Sequence, residues 1–352
     1  MRTIPNKLCP VWIGQSDLII QKLLKERPEG QVSLITEETV HQHCLHILEN
    51  VIRLFDIGVI TVPTGEKSKQ IRTCNIIWQH LADAGVDRNG CIIALGGGMV
   101  TDLAGFIAST YLRGIDLISL PTTVLAQVDA AIGGKTGVDL GPVKNYVGTF
   151  YQPAHVIMDH RFLSTLPERQ IRNGLAEVIK HSMIAGGEEW EYWQVTRDLA
   201  SVDWEQRVAS SARIKIRIVE EDFREKGLRK ILNLGHSLGH AIESACMEQD
   251  MDILHGEAVS AGLWCESWLA LQKGWMDQND WEEIRNCLES LFTKIDLTAI
   301  PTERIIHYLM KDKKNRNGKI LINGLCSPGS YQLDQEISEE EAAQSIQAYK
   351  RY

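Results

Sequence analysis

The sequence lacks the features that would place the protein at a membrane or on nucleic acid. No apolar run reaches the roughly 18 residues of a membrane-spanning helix, and the N-terminal segment MRTIPNKLCP has no signal-peptide core. Low-complexity segments and internal repeats are absent. The formal net charge is -9, whereas proteins bind phosphate backbones with basic faces. We therefore expect a cytoplasmic protein that binds neither a membrane nor nucleic acid.

Cysteine pairs with metal-binding or redox spacing are also missing. The chain has 8 cysteines, none of them in a CxxC arrangement, and several lie within apolar runs. Cysteines in such runs are usually reduced thiols of a hydrophobic core. The pattern agrees with the cytoplasm and gives no support to a metal site made of cysteines.

The length and the composition favour two domains. A chain of 352 residues, 44% hydrophobic and 24% charged, can bury a large core. In its first half, short apolar runs bounded by turn residues alternate with segments of helical spacing. Alternation of this kind predicts a parallel sheet with helices on both faces. The strand-like runs are 32–35, 58–62, 91–95, 117–120 and 156–158, and the helical segments between them are 39–54 and 69–85.

The second half has almost no strand signal. Helical spacing begins after Pro167, a residue that suits the first turn of a helix. The predicted helices cover 173–184, 203–222, 234–248, 256–273 and 302–312, and one strand candidate covers 319–322. We predict an α/β domain over residues 1–166 and a mostly α-helical domain over residues 167–352.

A glycine triplet, Gly96–Gly98, follows one predicted strand and precedes a helix. Glycines let a pyrophosphate approach the backbone closely, and the helix N-terminus favours its charge. On its own, the triplet is equally compatible with a tight turn that binds nothing. Glu66, which could accept ribose hydroxyls, and Thr122 and Thr123 follow two other strands. Because parallel sheets bind nucleotides at the carboxyl ends of their strands, the segments together favour a dinucleotide.

Basic residues recur beside glycines or apolar residues in this acidic chain. A single lysine is ordinarily a solvated surface residue. Several in this setting predict a local pocket for the phosphate and carboxylate groups of a small substrate. The residues concerned are Lys135, Lys144, Lys180, Lys215 and Arg229.

Three histidines form the most distinctive cluster. His236 and His240 are four residues apart in a predicted helix, so both rings project from one face, and His255 opens the next apolar run. The arrangement suggests a metal centre with a spare imidazole for proton transfer. For the pair alone, a helix face without a metal is the alternative interpretation.

Ordered motifs from about residue 60 to the end of the chain carry a resemblance to a known family. They are GGGMVTDLAGF, TYLRG, PTTVLAQVDAAIGGKTGV, KNYVGTFYQP, FLSTLP, GLAEVIKH, LNLGHSLGHAIE and LHGEAV. With them the sequence resembles the 3-dehydroquinate synthases, sugar-phosphate cyclases of the shikimate pathway. The resemblance implies a Rossmann-like NAD-binding domain, a helical domain that binds metal and substrate, and a homodimer.

The resemblance also implies roles for individual residues. Glu177, His236 and His255 would bind zinc, or cobalt in its place, and His240 would transfer a proton. Arg113 would reach the substrate phosphate of the neighbouring subunit. The NAD contacts would be Glu66, Lys69, Gly97, Gly98, Asp102, Thr122, Thr123, Lys135, Lys144, Phe162 and Thr165. The substrate and its reaction would involve Asp129, Lys135, Asn145, Lys180, Lys215, Arg229, Asn233 and Lys313 or Lys314.

The implied reaction converts 3-deoxy-D-arabino-heptulosonate 7-phosphate into 3-dehydroquinate and phosphate. NAD would take a hydride from C5 and return it after phosphate has left, and an intramolecular aldol step would close the ring. One departure from the family concerns the cofactor: Thr36 and Glu37 stand where an aspartate is usual after the strand.

Three alternatives remain. A sister cyclase would act on sedoheptulose 7-phosphate or glucose 6-phosphate, which lack the carboxylate that Lys215 and Arg229 would bind. A metal-dependent polyol dehydrogenase would need no anion pocket and would accumulate NADH. A binding protein without catalytic activity would have no need of the ligand and proton-transfer positions that this sequence retains.

Overall fold

The structure, a computed structural model, describes residues 1–27, 29–141, 143–311, 315 and 319–352. These residues form two compact units. Unit 1 consists of Met1–Ile171 and Trp204–Glu220, and unit 2 consists of Arg172–Asp203 and Glu221–Tyr352. The domain boundary between 166 and 167 stays a prediction. Within the described ranges, no helix is both long and apolar enough to cross a membrane.

Unit 1 is built on a seven-stranded sheet. Its strands are β1 (Arg2–Ile4), β2 (Val11–Ile13), β3 (Val32–Glu37), β4 (Gly58–Val62), β5 (Cys91–Gly96), β6 (Asp116–Pro121) and β9 (His155–Met158). Their order across the sheet is β1-β2-β9-β6-β5-β3-β4. Only β1 and β2 pair antiparallel, and the other neighbours are parallel. The predicted parallel sheet is confirmed, whereas β1 and β2 were not predicted.

Helices cover both faces of this sheet, as predicted. They are α1 (Ser16–Glu26), α2 (Glu38–Cys44), α3 (Glu49–Leu54), α4 (Ile71–Asp83) and α5 (Gly98–Thr110). Along β5, Ile93 and Leu95 join the core beneath α1, α2 and α3, whereas Ile92 and Ala94 join the core beneath α4 and α5. Because successive strand residues point to opposite faces, a strand buried on both faces is apolar throughout.

A hairpin was missed by the sequence prediction. It pairs β7 (Lys135–Leu140) with β8 (Val143–Phe150) in antiparallel register. It lies close to α5, where a Cβ atom on Gly105 would come within 2.5 Å of the Thr136 side chain. Strand β8 is largely exposed and has no clean apolar face. The lysines and glycines of the hairpin are therefore residues that a loop would also contain, and they carry no strand signal.

Unit 2 is mostly helical, as predicted. Its helices are α6 (Glu168–Ala185), whose first turn lies in unit 1, α7 (Gly187–Val195), α9 (His236–Glu248), α10 (His255–Gln272), α11 (Gln278–Leu291), α12 (Thr302–Met310) and α13 (Glu339–Arg351). The remaining helix, α8 (Trp204–Glu221), lies in unit 1 except for its last residue. The strand candidate at 319–322 is part of a longer hairpin, β10 (Ile320–Ser327) with β11 (Ser330–Ile337).

Helices α9 and α10 cross with their backbones in direct contact. A Cβ atom on Gly262 would lie 1.9 Å from the carbonyl oxygen of Gly235, and one on Gly239 would lie 3.0 Å from that of Ala258. Only glycine fits at Gly262, because a methyl group there would overlap the neighbouring backbone. The close crossing brings the histidines at the start of α9 near His255, the first residue of α10.

All eight cysteines are free, and seven of them are buried, with Cys326 half-buried. Burial raises the pKa of Cys9, Cys74 and Cys91 to about 12, so these thiols stay protonated. The prediction of reduced core thiols is confirmed.

Candidate active site

The glycine triplet lies between β5 and α5, as predicted. Helix α5 begins at Gly98, and its cap residue, Gly97, supplies no side chain to the first turn. A Cβ atom on Gly97 would lie 3.4 Å from Thr123, and the Thr122 amide donates to the Gly96 carbonyl oxygen at 2.9 Å. The structure therefore brings two of the predicted NAD-binding segments together at the carboxyl ends of β5 and β6.

Buried hydroxyl groups mark the same edge of the sheet. Thr36, near the end of β3, and Thr122, just after β6, have side-chain oxygens without a hydrogen-bond partner among the described residues. Thr122 is 2% exposed. A buried polar atom without a partner costs free energy unless a ligand or water satisfies it. These hydroxyls fit a polar ligand such as a dinucleotide.

Lys69 links two elements of unit 1. It is 4% exposed, and its Nζ donates to Asp102 Oδ2 on α5 and to Asn145 Oδ1 on β8, both at 2.6 Å. Burial lowers the pKa of Lys69, but Asp102 outweighs it and the net pKa is raised. Asn145 has a left-handed φ of 51°, and its amide donates to Asp139 at 2.7 Å. Lys69 thus holds the hairpin residue Asn145 beside α5.

A second lysine of unit 1 is also paired. Lys215 is 5% exposed, and its Nζ donates to both the backbone oxygen and Oδ1 of Asp129, at 2.5 and 2.6 Å. Of the cations predicted for an anion pocket, Lys215 therefore already contacts a carboxylate of its own unit, and the pocket itself stays a prediction. Lys135, Lys144 and Glu66 are exposed, as a ligand contact would require.

Phe162 and Thr165 lie in a 3-10 turn, His160–Thr165, that follows β9. The Phe162 side chain is fully buried in the core, so only its backbone could meet NAD, whereas Thr165 is exposed. The turn is anchored by buried Asp159, which accepts hydrogen bonds from the amide and hydroxyl of Ser16, both at 2.8 Å, and from Arg161. Burial would raise the pKa of Asp159, but these donors lower it overall.

Arg113 stands in a strained, exposed turn after α5. Leu112 and Arg113 have φ values of 49° and 70°, and Gly114 follows with 120°. Left-handed backbone at a residue with a Cβ costs about 1–3 kcal/mol and often marks a functional position. The role of Arg113 at a neighbouring subunit stays a prediction.

In unit 2, three predicted ligands converge. Glu177 on α6 has its Oε1 atom 3.3 Å from His236 Nε2 and 3.6 Å from His255 Nε2. Glu177 is fully buried, and this oxygen accepts no hydrogen bond in the described part of the chain. The other oxygen, Oε2, accepts from Lys180. One carboxylate oxygen facing two imidazole nitrogens is a donor set that suits a zinc-type ion, so the residues fit the implied metal.

The outward nitrogens of both imidazoles are also held. His236 Nδ1 lies 3.0 Å from the Leu234 carbonyl oxygen, and His255 Nδ1 lies 3.6 Å from Glu243 Oε2. Metal-bound histidines usually have such a partner, which fixes the ring and leaves Nε2 for the metal. Sequence reasoning missed Glu243. Its signal is a carboxylate seven residues after His236, on the same face of α9.

Local charges favour a cation at this point. Burial would raise the pKa of Glu177, but the Lys180 ammonium and His236 hold it well below its usual range. Burial lowers the pKa of His236, and Lys180 lowers it further, so the ring is a neutral donor. Burial also acts downward on His255, but Glu177 and Glu243 raise its pKa to about 10, so its surroundings stabilise positive charge.

His240 lies beside these groups but is exposed. Its ring centroid is 5.2 Å from that of His236 and 5.7 Å from that of His255. The three histidines can place one nitrogen each within 4.8 Å of one another, so they remain a second conceivable ligand group. Glu177 Oε1 favours the set without His240, whose exposed ring suits contact with a substrate.

The other predicted substrate residues of unit 2 are near the start of α9. Arg229 is 2% exposed and donates to the Phe223 carbonyl oxygen at 2.6 Å. Asn233 donates to Glu225 at 2.9 Å, and Glu225, with a left-handed φ of 56°, was not singled out from the sequence. Lys313 and Lys314 lie outside the described residues.

Comparison with family models covers most of the chain. Residues 59–173 match the model described as 3-dehydroquinate synthase N-terminal, and residues 174–315 match the one described as 3-dehydroquinate synthase C-terminal. A 3-dehydroquinate synthase of Leptospira interrogans is 40% identical over 323 residues, which cover 91% of this chain and 89% of that protein.

Solved structures share the whole fold. A 2-deoxy-scyllo-inosose synthase, complexed with carbaglucose-6-phosphate, NAD+ and Co2+, superposes with a TM-score of 0.89 at 25% identity, over 99% of this chain and 100% of that one. A 2-epi-5-epi-valiolone synthase from Streptomyces hygroscopicus, with NAD+ and Zn2+ bound, gives 0.86 at 22% identity, over 100% and 99% of the two chains. The second likeness shows the fold alone.

Proposed function

The chain belongs to the 3-dehydroquinate synthase family, and on that premise we propose how its residues carry out the reaction of the family. The enzyme converts 3-deoxy-D-arabino-heptulosonate 7-phosphate into 3-dehydroquinate and phosphate. The observation that carries this proposal is the convergence of Glu177 Oε1 with the Nε2 atoms of His236 and His255, at 3.3 and 3.6 Å. A donor set with room for substrate oxygens is what a catalytic metal site needs.

The cofactors are NAD+ and a divalent ion, Zn2+ or Co2+. When bound, the ion supplies Lewis acidity to substrate hydroxyl oxygens, and NAD accepts and returns the hydride. Glu177, His236 and His255 would hold the ion. The segments after β5 and β6, with Gly97, Gly98, Thr122 and Thr123, would bind the dinucleotide, and α5 presents its N-terminus there.

His240 would move the proton of the substrate hydroxyl that is oxidised. Its ring is exposed, adjacent to the imidazole of His236, and carried on the same helix one turn later. A histidine titrates near neutral pH and suits general acid–base work. Lys135, Lys180, Asp129 and Asn145 would orient the substrate.

Substrate specificity would come from Lys215 and Arg229. Both are buried, so a substrate carboxylate would meet them away from water, where charge-assisted hydrogen bonds are strong. Lys215 contacts Asp129, and a substrate carboxylate would compete with that contact. Glucose 6-phosphate and sedoheptulose 7-phosphate have no carboxylate that could bind there. The two cations therefore favour the heptulosonate.

We propose a cytoplasmic homodimer in which Arg113 binds the substrate phosphate of the neighbouring subunit. The exposure of Leu112 and Arg113 in a strained turn supports this role, because such strain often marks functional positions.

The decisive experiment is phosphate release by the purified full chain, supplied with NAD and zinc, from the three candidate substrates in parallel. We expect release from the heptulosonate, loss of activity with a chelator, and no net absorbance of NADH at steady state. Release from sedoheptulose 7-phosphate or glucose 6-phosphate alone would contradict the proposal. Net NADH formation would indicate a dehydrogenase.

A variant of His240 with its control and a subunit-mixing experiment extend the assay. His240→Ala should lower kcat by about 100-fold or more, whereas His43→Ala, which removes an exposed histidine on α2, should leave it unchanged.

Mixing Arg113→Ala protein with His240→Ala protein should restore about a quarter of wild-type activity, because half of randomly mixed dimers contain one complete site. No restoration would mean that Arg113 acts within its own subunit.

A further inference from the structure

Helix α9, which carries His236 and His240, cannot cap its own N-terminus. The cap position is Gly235, with a left-handed φ of 75°, and it has no side chain to offer the first turn. A Cβ atom there would lie 2.6 Å from Leu263, so the usual serine, threonine or aspartate is excluded. The free amides of this first turn must therefore be satisfied from elsewhere.

The missing cap comes from α10. Glu266 is 1% exposed, and its Oε2 accepts from the Gly235 amide at 2.7 Å, while its Oε1 accepts from the Leu238 amide at 3.3 Å. The carboxylate therefore bridges the cap position and the third residue of α9. A negative charge is also favourable at this end of a helix dipole.

The same helix supplies a metal ligand. His255 is the first residue of α10, and Glu266 follows eleven residues later, about three turns along on nearly the same face. The first turn of α10 thus contributes an imidazole, and a position about three turns further along holds the first turn of α9, where His236 lies. Sliding of α9 along α10 would change the separation of the two imidazoles.

We propose that Glu266 is a positioning residue of the metal centre, which fixes His236 relative to His255 by capping α9 from α10. The glycine crossing at Gly235 and Gly262 sets how closely the helices approach, and Glu266 sets how far along each other they lie. The inference rests on the metal site of the proposed function.

The test is the zinc affinity of a Glu266→Gln variant of the full chain, measured by competition with a chromophoric chelator. Glutamine keeps the shape, but its amide group cannot accept from the second N–H and carries no charge. We expect the dissociation constant for zinc to rise about tenfold or more. The visible absorption spectrum of the cobalt-loaded variant should change as well, because the ligand geometry has shifted.

Ser338→Ala is the matched control. Ser338 caps α13 in the same unit, accepting from the Glu341 amide at 3.1 Å, so its loss also lowers the melting temperature. The control should keep the zinc affinity and cobalt spectrum of the wild type. If Glu266→Gln lowers the melting temperature but leaves both metal readouts unchanged, Glu266 is only a helix cap and the inference is wrong.

Two further outcomes are distinguishable. Wild-type protein that binds no zinc would overturn the metal site itself, and the inference with it. If Glu266→Gln does not fold, Glu266→Asp carries the test, because it retains the charge but shortens the reach. A folded aspartate variant with wild-type zinc affinity would overturn the inference.

Discussion

In unit 1, each buried lysine of the candidate site contacts a carboxylate of the same unit, Lys69 with Asp102 and Lys215 with Asp129. In unit 2, Lys180 occupies one oxygen of Glu177 while two imidazoles face the other. Charges in unit 1 are thus paired off within the fold, whereas unit 2 keeps one carboxylate oxygen without a hydrogen bond in the described part of the chain.

The difference shows at which residues a ligand must displace an existing ion pair and at which it need not. An anionic ligand that approaches Lys69 or Lys215 must compete with an existing ion pair, to Asp102 or to Asp129. A cation that approaches Glu177 Oε1 displaces no hydrogen bond within the described residues, and two imidazole nitrogens already face that oxygen. The His255 ring, whose pKa is raised to about 10, must lose its proton when the cation binds. The ligand atoms of the proposed metal site are thus already close together, and preorganisation of this kind reduces the free-energy cost of binding.

The strongest test of this comparison is Glu177→Gln. It should abolish zinc binding and activity, and it should lower the free energy of unfolding by about 3–5 kcal/mol, because Lys180 loses its buried partner. Adding Lys180→Met in the double variant should recover most of this stability without recovering zinc binding. The measurements are urea denaturation and zinc competition.

Lys180→Met alone serves as the control for that pair. It should retain zinc, since the ligand atoms of Glu177, His236 and His255 are intact. Zinc binding by the double variant would show that Glu177 is not a ligand.

A smaller effect is expected for Lys69→Met in unit 1. Loss of two charge-assisted hydrogen bonds, to Asp102 and Asn145, should lower stability by about 2–3 kcal/mol. It should also weaken NAD binding about tenfold, the equivalent of about 1.4 kcal/mol. Hydrogen exchange should accelerate at residues 143–150, because the hairpin loses its contact with α5.

Lys67→Met is the matched control, since Lys67 is exposed in the same short turn, Glu66–Ser68. It should leave both stability and exchange unchanged. Unaltered exchange of the hairpin in Lys69→Met would mean that Lys69 does not anchor it.

The smallest effect expected is the contribution of Asp159 to the pH dependence of the free energy of unfolding. Its pKa is lowered in the folded state by its hydrogen-bond donors, against the opposing effect of burial. The stabilisation is therefore complete above the unfolded pKa of about 4 and is lost as pH falls through the folded pKa. Asp159→Asn should cost about 1–2 kcal/mol at neutral pH, and its difference from wild type should shrink in acid.

Urea denaturation at several pH values measures the difference in the free energy of unfolding between Asp159→Asn and wild type. Asp198→Asn is the control, because Asp198 is exposed and caps only the short turn Leu199–Ser201. A difference between Asp159→Asn and wild type that stays constant down to the lowest pH would contradict the assignment.

Sequence patterns predicted the parts of the fold that local physics decides. Apolar runs such as 91–95, short and bounded by turn residues, predicted strands, and the helical spacing of 234–248 and 256–273 predicted helices. The hairpin of β7 and β8 and the strand β11 were missed, because exposed strands carry little hydrophobic pattern.

Pairing of charges was the other limit. Lys215 and Asp129 are 86 residues apart, and Lys69 and Asp102 are 33 apart, so no local pattern reveals that they meet. The motifs identified these lysines and carboxylates as separate site residues but could not reveal that they contact each other. The three histidines, by contrast, lie on one helix and on the next helix along the chain, so a local sequence pattern was enough to single them out.

The buried cysteines have a practical consequence. Seven of the eight thiols are enclosed, and burial raises the pKa of Cys287 to about 12 and that of Cys246 to about 11. A maleimide or other thiolate-selective reagent therefore has one accessible native target, Cys326, among the eight. A Cys326→Ser background would accept a single engineered cysteine in each unit, so that a pair of fluorophores could report distance changes during turnover without any rebuilding of the core.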